Sequence, residues 1–82
     1  MNKVLRFTAS WCLPCKSLAR RLESINTQTE IEVIDIDEQD QKVIEYNIRS
    51  IPTLVFLKDG KETKRMLGAR HSQDELEEWL ND

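Results

Sequence analysis

Lys3-Val4-Leu5-Arg6-Phe7-Thr8-Ala9-Ser10-Trp11-Cys12-Leu13-Pro14-Cys15-Lys16 is the stretch in which the spacing of apolar residues changes. From 3 to 9 the period is two. Leu5, Phe7 and Ala9 share one face, and Val4, Arg6 and Thr8 the other, which predicts a strand. Beyond it Cys15, Leu18, Ala19, Leu22 and Ile25 fall on one helical stripe, with Lys16, Arg20, Arg21 and Glu23 mostly off it. Pro14 suits the first turn of that helix, where its missing N–H is no loss. The pair Cys12-x-x-Cys15 therefore stands where a strand ends and a helix opens.

That context supplies chemistry. The first N–H groups of a helix have no acceptors within it and carry partial positive charge. A thiolate at Cys12 is favoured there. Three residues make almost one helical turn, so the Cys15 sulfur can reach that of Cys12. The expected geometry leaves Cys12 exposed at the helix tip and Cys15 more covered. Cys12 would then be the nucleophile that attacks a disulfide, and Cys15 the resolving thiol that attacks the Cys12 sulfur and leaves a Cys12–Cys15 redox disulfide.

Working outward, residues 30–37 predict a second strand, whose β-branched run suits a mostly buried parallel strand. A short helix over about 40–46 follows, with Asp40 as N-cap and Asn47 as a left-handed C-cap. Residues 53–58 form a third strand, Asp59-Gly60 a hairpin turn, and 61–67 the returning strand. Ser72 and Glu75 make a capping-box pair that opens a last helix with Leu76, Trp79 and Leu80 on one stripe. The order β-α-β-α-β-β-α predicts an α/β fold: a four-stranded mixed sheet with three flanking helices.

Length and composition limit the alternatives. A chain of 82 residues allows one domain, 1–82, and only a thin core. A disulfide between residues three apart closes too small a loop to stabilise much, so the cysteines are not there as a staple. The net charge of -3 argues against nucleic acid as a partner. No apolar run approaches membrane-spanning length, and Arg6 interrupts the place where a signal peptide would be apolar. The expectation is an unprocessed cytoplasmic protein, in a compartment where a lone Cys-x-x-Cys is catalytic or metal-binding rather than structural. Structural zinc needs four ligands, and the usual strong ones here are Cys12, Cys15 and His71. No metal and no cofactor are expected, and His71 reads as a solvated loop residue. Lys58, Lys61, Lys64, Arg65 and Arg70, and the acids of the last helix, read as solvated faces.

The sequence resembles thioredoxins along nearly its whole length. The matching stretches are Phe7 to Lys16, Ile34-Asp35-Ile36-Asp37, Tyr46 to Leu54, Lys58-Asp59-Gly60 and Leu67-Gly68-Ala69. The resemblance implies a thioredoxin fold, a cis Ile51-Pro52 bond facing the cysteines, and an Ile51 backbone able to pair with a substrate strand. It also implies a substrate-binding apron made of Trp11, Leu13, Pro14, Ile51, Pro52, Gly68 and Ala69. The function it implies is a monomeric oxidoreductase that reduces protein disulfides, in electron transport and cell redox homeostasis. A thioredoxin-reductase-type flavoenzyme is then the expected reductant.

Three features depart from that pattern. The chain starts at the strand before the cysteines, without the additional strand and helix of longer thioredoxins, and so looks minimal. Leu13 stands where glycine usually follows the first cysteine. Arg6 and Val33 replace the usual buried acid and its lysine, so that general-base role does not carry over. Arg6 is expected to point out on the face that an added N-terminal helix would cover, its stem buried and its charge at the surface. The opposing possibility places it within a few ångströms of the thiols, where it would favour thiolate. Two competing functions are a glutathione-dependent, glutaredoxin-like enzyme and a binding or accessory subunit with incidental thiols. The chain has neither a late Gly-Gly pair nor Cys-Pro-Tyr-Cys, which disfavours the first.

Overall fold

The alternation of Val4 and Leu5, and of Leu54 and Val55, sends successive side chains to opposite faces of one sheet. This computed structural model describes residues 1–82. Its strands are β1 (Asn2–Thr8), β2 (Glu30–Asp35), β3 (Thr53–Lys58) and β4 (Lys61–Leu67), and its helices α1 (Leu13–Glu23), α2 (Asp40–Glu45) and α3 (Gln73–Asn81). The sheet order is β2-β1-β3-β4. β1 pairs parallel with β2 (Phe7 opposite Ile34) and antiparallel with β3 (Leu5 opposite Val55), and β3 and β4 form the hairpin. The thioredoxin fold implied by the sequence is the one observed.

Two layers cover the sheet. On one face Val4, Leu54 and Phe56 pack with Leu18 and Leu22 of α1 and Leu76 and Leu80 of α3. On the other, Leu5, Phe7, Ile34, Val55 and Leu57 pack beneath Val43, Tyr46 and Ile48 in and after α2. Burying each such leucine or phenylalanine contributes roughly 1.5–3 kcal/mol, which is why the central strands β1 and β3 hold the structure together. Trp79, on the same helical stripe as the buried Leu76 and Leu80, lies at the rim of the core, its ring edge-on to Phe56 at 5.5 Å.

The turns follow local chemistry. Asp59 and Gly60 both have positive φ (52° and 86°), the conformation a two-residue hairpin needs. Asn47 has φ 52° just after α2, and the N–H groups of Asn47 and Ile48 return to the carbonyls of Ile44 and Val43. Two expectations need correction. Gln39, not Asp40, precedes α2, and Asp40 is its first residue. β2 is an edge strand in which only Ile34 is buried, because β1 and β3 occupy the middle of the sheet. Its β-branched run covers one flank rather than filling a centre, and Val33 is half exposed.

Candidate active site

Cys12 is the N-cap of α1, with extended backbone (φ -95°, ψ 103°). Leu13, Pro14 and Cys15 form the first turn. Pro14 has no N–H to satisfy, and the Cys15 N–H points at the Cys12 sulfur, 3.2 Å away. That donor is one of the unpaired amides that give a helix its positive end, so negative charge on Cys12 Sγ meets it directly. A disulfide joins Cys12 to Cys15, whose Cα atoms are 5.3 Å apart. Ala9, Ile36 and Ile51 pack around the pair.

Burial corrects one expectation. Cys12 is only 5% exposed, against 0% for Cys15, and Ile36 and Ile51 pack against the cluster the two form with Ala9. The order is as expected, but Cys12 offers a narrow window rather than an open tip. The Ile51–Pro52 bond is cis. Pro52 itself is fully buried, so its ring is not part of the apron surface. It takes part through its carbonyl, which accepts the Gly68 N–H at 2.9 Å. Gly68 has φ 83° and open space where a Cβ would stand, so its absent side chain answers to backbone conformation and not to crowding. The Ile51 N–H and C=O have no partner within the chain.

The remaining apron residues surround this window. Trp11 is 65% exposed and Leu13 74%, and Pro14 is exposed beside them, whereas Ile51, Gly68 and Ala69 are half-buried. The Trp11 indole is anchored: its Nε1 donates to Asp37 Oδ2 at 2.9 Å. Trp11, Ile36, Val43, Ile48, Arg49, Ser50 and Ile51 line a groove of 290 Å³ that shares Ile36 and Ile51 with the packing around the cysteines.

Several participants escaped the sequence reading. Leu67 is 59% exposed and precedes Gly68, so it extends the apron, and its position beside the Gly68 motif was the available signal. Asp37 lay inside a matched stretch, but nothing local ties it to Trp11, 26 residues away. Val43 and Ile48 join the groove because the turn at Asn47 folds Ile48 back over the end of α2.

Arg6 lies in a shallow groove with Ala19, Leu22 and Glu23 of α1 and Ile31 and Val33 on the β2 side. Arg6 is half-buried in this surface groove, beside α1 and β2. Burial lowers its pKa below the usual arginine value, and Glu23 partly offsets this. His71 Nε2 lies 2.8 Å from the Leu67 carbonyl and its Nδ1 is 3.8 Å from Glu75, so its ring is occupied in holding a loop.

The thioredoxin family model matches residues 1–82. The chain belongs to the thioredoxin family. It is 40% identical to thioredoxin H8 of Arabidopsis thaliana over 95% of its own length and 53% of that protein. It is 37% identical to a thioredoxin of Chlamydia caviae over 95% of its length and 78% of the relative. Among solved structures, a mutant thioredoxin from Halobacterium salinarum superposes with a TM-score of 0.88 at 30% identity, covering 96% of this chain and 71% of that one. The first curated relatives are longer: the chain spans 53% and 62% of two thioredoxins of the plant H type.

Proposed function

We propose that this chain reduces protein disulfides by dithiol exchange. The observation that carries the reading is the Cys12–Cys15 pair at the start of α1, with the Cys15 N–H on the Cys12 sulfur and an apolar apron around it. In the reduced chain the Cys12 thiolate attacks one sulfur of a substrate disulfide and expels the other as a thiolate, which takes up a proton. Cys15 loses its proton and attacks the Cys12 sulfur. The substrate leaves as a dithiol, and two electrons have passed from the chain, now Cys12–Cys15 oxidised, to the substrate.

The apron suits an extended protein segment rather than a small thiol. Trp11, Leu13, Pro14 and Leu67 offer apolar contact, and the unpaired N–H and C=O of Ile51 offer a strand-like pairing beside Cys12. Protein disulfides are therefore the substrate class. The reductant that resets the pair is a thioredoxin-reductase-type flavoenzyme, and the chain works as a cytoplasmic monomer in electron transport and redox homeostasis.

The test is reduction of insulin with dithiothreitol as electron donor. Wild type precipitates the insulin B chain. Cys12→Ser abolishes the activity, and Cys15→Ser accumulates a mixed disulfide with substrate on Cys12. Activity that survives Cys12→Ser would overturn the mechanism. An inactive wild type would favour a binding role.

A further inference from the structure

The loop between β4 and α3 carries Gly68 and Ala69, and three contacts fix it. Gly68 N–H donates to the Pro52 carbonyl at 2.9 Å, and His71 Nε2 meets the Leu67 carbonyl at 2.8 Å. The third contact comes from α1: Arg21 Nη2 donates to the Ala69 carbonyl, 48 residues away.

Joining α1 to α3 does not need the Arg21 guanidinium. Gln73 Nε2, at the start of α3, already donates to the Arg21 carbonyl at 2.8 Å and to Ser24 Oγ at 2.5 Å. Moreover, Arg21 Nε is the one buried side-chain nitrogen or oxygen with no hydrogen-bond partner. A buried donor left unpaired lowers stability. An apolar side chain of similar length would pack in the same place without that loss. What the guanidinium alone provides is a fixed Ala69 carbonyl.

We propose that Arg21 is a positioning residue for substrate docking: by holding the Ala69 carbonyl it fixes the Gly68–Pro52 side of the apron. The inference rests on the disulfide-exchange reading above. Arg21 does not line the groove beside Trp11, and its guanidinium hydrogen-bonds the Ala69 carbonyl rather than a cysteine. Its effect therefore falls on substrates large enough to press against residues 67–69, and not on the sulfur chemistry. A protein disulfide senses the loop, whereas a small disulfide that reaches only Cys12 does not.

The experiment compares wild type, Arg21→Met and Gln73→Ala with insulin and with oxidised glutathione, using dithiothreitol as donor. Arg21→Met keeps the stem and removes both the Ala69 contact and the unpaired Nε. Its KM for insulin is expected to rise about fivefold with kcat unchanged. Its exchange rate with glutathione stays at the wild-type value, and its melting temperature moves little. Gln73→Ala lowers the melting temperature and leaves the KM for insulin unchanged. An unchanged KM in Arg21→Met overturns the proposal, as does an equal loss toward insulin and glutathione. Should Arg21→Met fail to fold, the neutral and shorter Arg21→Gln decides by the same KM comparison. A wild type without insulin reductase activity instead overturns the functional reading itself.

Discussion

Trp11 and Leu13 are apolar and largely exposed, and they flank a cysteine that is nearly closed off from water. Isolated exposed apolar residues need no explanation, but Trp11 also lines a groove with Ile36, Val43, Ile48 and Ile51, which is the setting the proposed docking of a substrate uses. Exposure alone would leave the Trp11 ring free to sample rotamers. Its hydrogen bond to Asp37 removes that freedom before any substrate arrives. Ordering a side chain on binding costs about 0.5–1.5 kcal/mol, so Asp37→Ala is expected to raise KM for insulin by about two- to tenfold. Asp37 is exposed and its loss leaves no buried group unpaired, so kcat and melting temperature stay near wild type. Steady-state kinetics beside a thermal melt check both. A fall in kcat at constant KM would remove Trp11 from docking. The placement of the two cysteines and Trp11 was legible in the sequence because it follows from one short segment. Asp37 and Arg21 were not, since each meets its partner only after the sheet order has brought distant segments together.

Elements whose ends carry their own chemistry were the ones read correctly. α1 begins at a strand's end with Pro14 in its first turn, and the β3–β4 hairpin turns on Asp59-Gly60. α3 opens on a reciprocal pair: Ser72 Oγ accepts the Glu75 N–H at 3.1 Å, and Glu75 Oε1 accepts the Ser72 N–H at 3.0 Å. Side-chain capping of this kind contributes about 1 kcal/mol, so Ser72→Ala should lower the melting temperature by about 4–8 °C for a chain of this size. α3 also follows the Gly68–Ala69 loop directly. The same substitution therefore tests whether fraying α3 is enough to disturb docking, and the expected outcome is a lower melting point with unchanged KM for insulin. Thermal unfolding and insulin kinetics on one preparation make the comparison. β2 shows the limit of local reading. Its Ile31, Val33, Ile34 and Ile36 suit a buried parallel strand, but the strand order, which no single segment encodes, puts β2 at the edge.

At the scale of the molecule, 17 of 82 residues are buried, so net stability is small enough for surface charge to be visible in it. Three glutamates are held below their ordinary value of 4.5, and the N-terminal ammonium of Met1 holds Asp59 below its ordinary 3.8 in the same way. Lys3 hydrogen-bonds Glu32, Arg65 hydrogen-bonds Glu62, and the Ser72 backbone N–H does so for Glu75. A carboxylate depressed in the folded chain binds its proton more readily once unfolded. Its contribution is therefore fully present above pH 4.5 and is lost as pH falls through the lower folded value. These groups all face solvent, so each contribution is reduced by screening. The melting temperature is expected to hold nearly level from pH 7 to about 5 and to fall below about 4.5. Salt should separate the causes. At 1 M salt the charge–charge attraction in the solvent-exposed Lys3–Glu32 and Glu62–Arg65 pairs is weakened, whereas the hydrogen bond from the uncharged Ser72 amide to Glu75 is affected less. Thermal melts from pH 3 to 7 at low and at 1 M salt should give a shallower acid limb at high salt, with the residual slope removed by Glu75→Gln. An acid limb of equal steepness at both salt concentrations would assign the loss to groups other than these ion pairs.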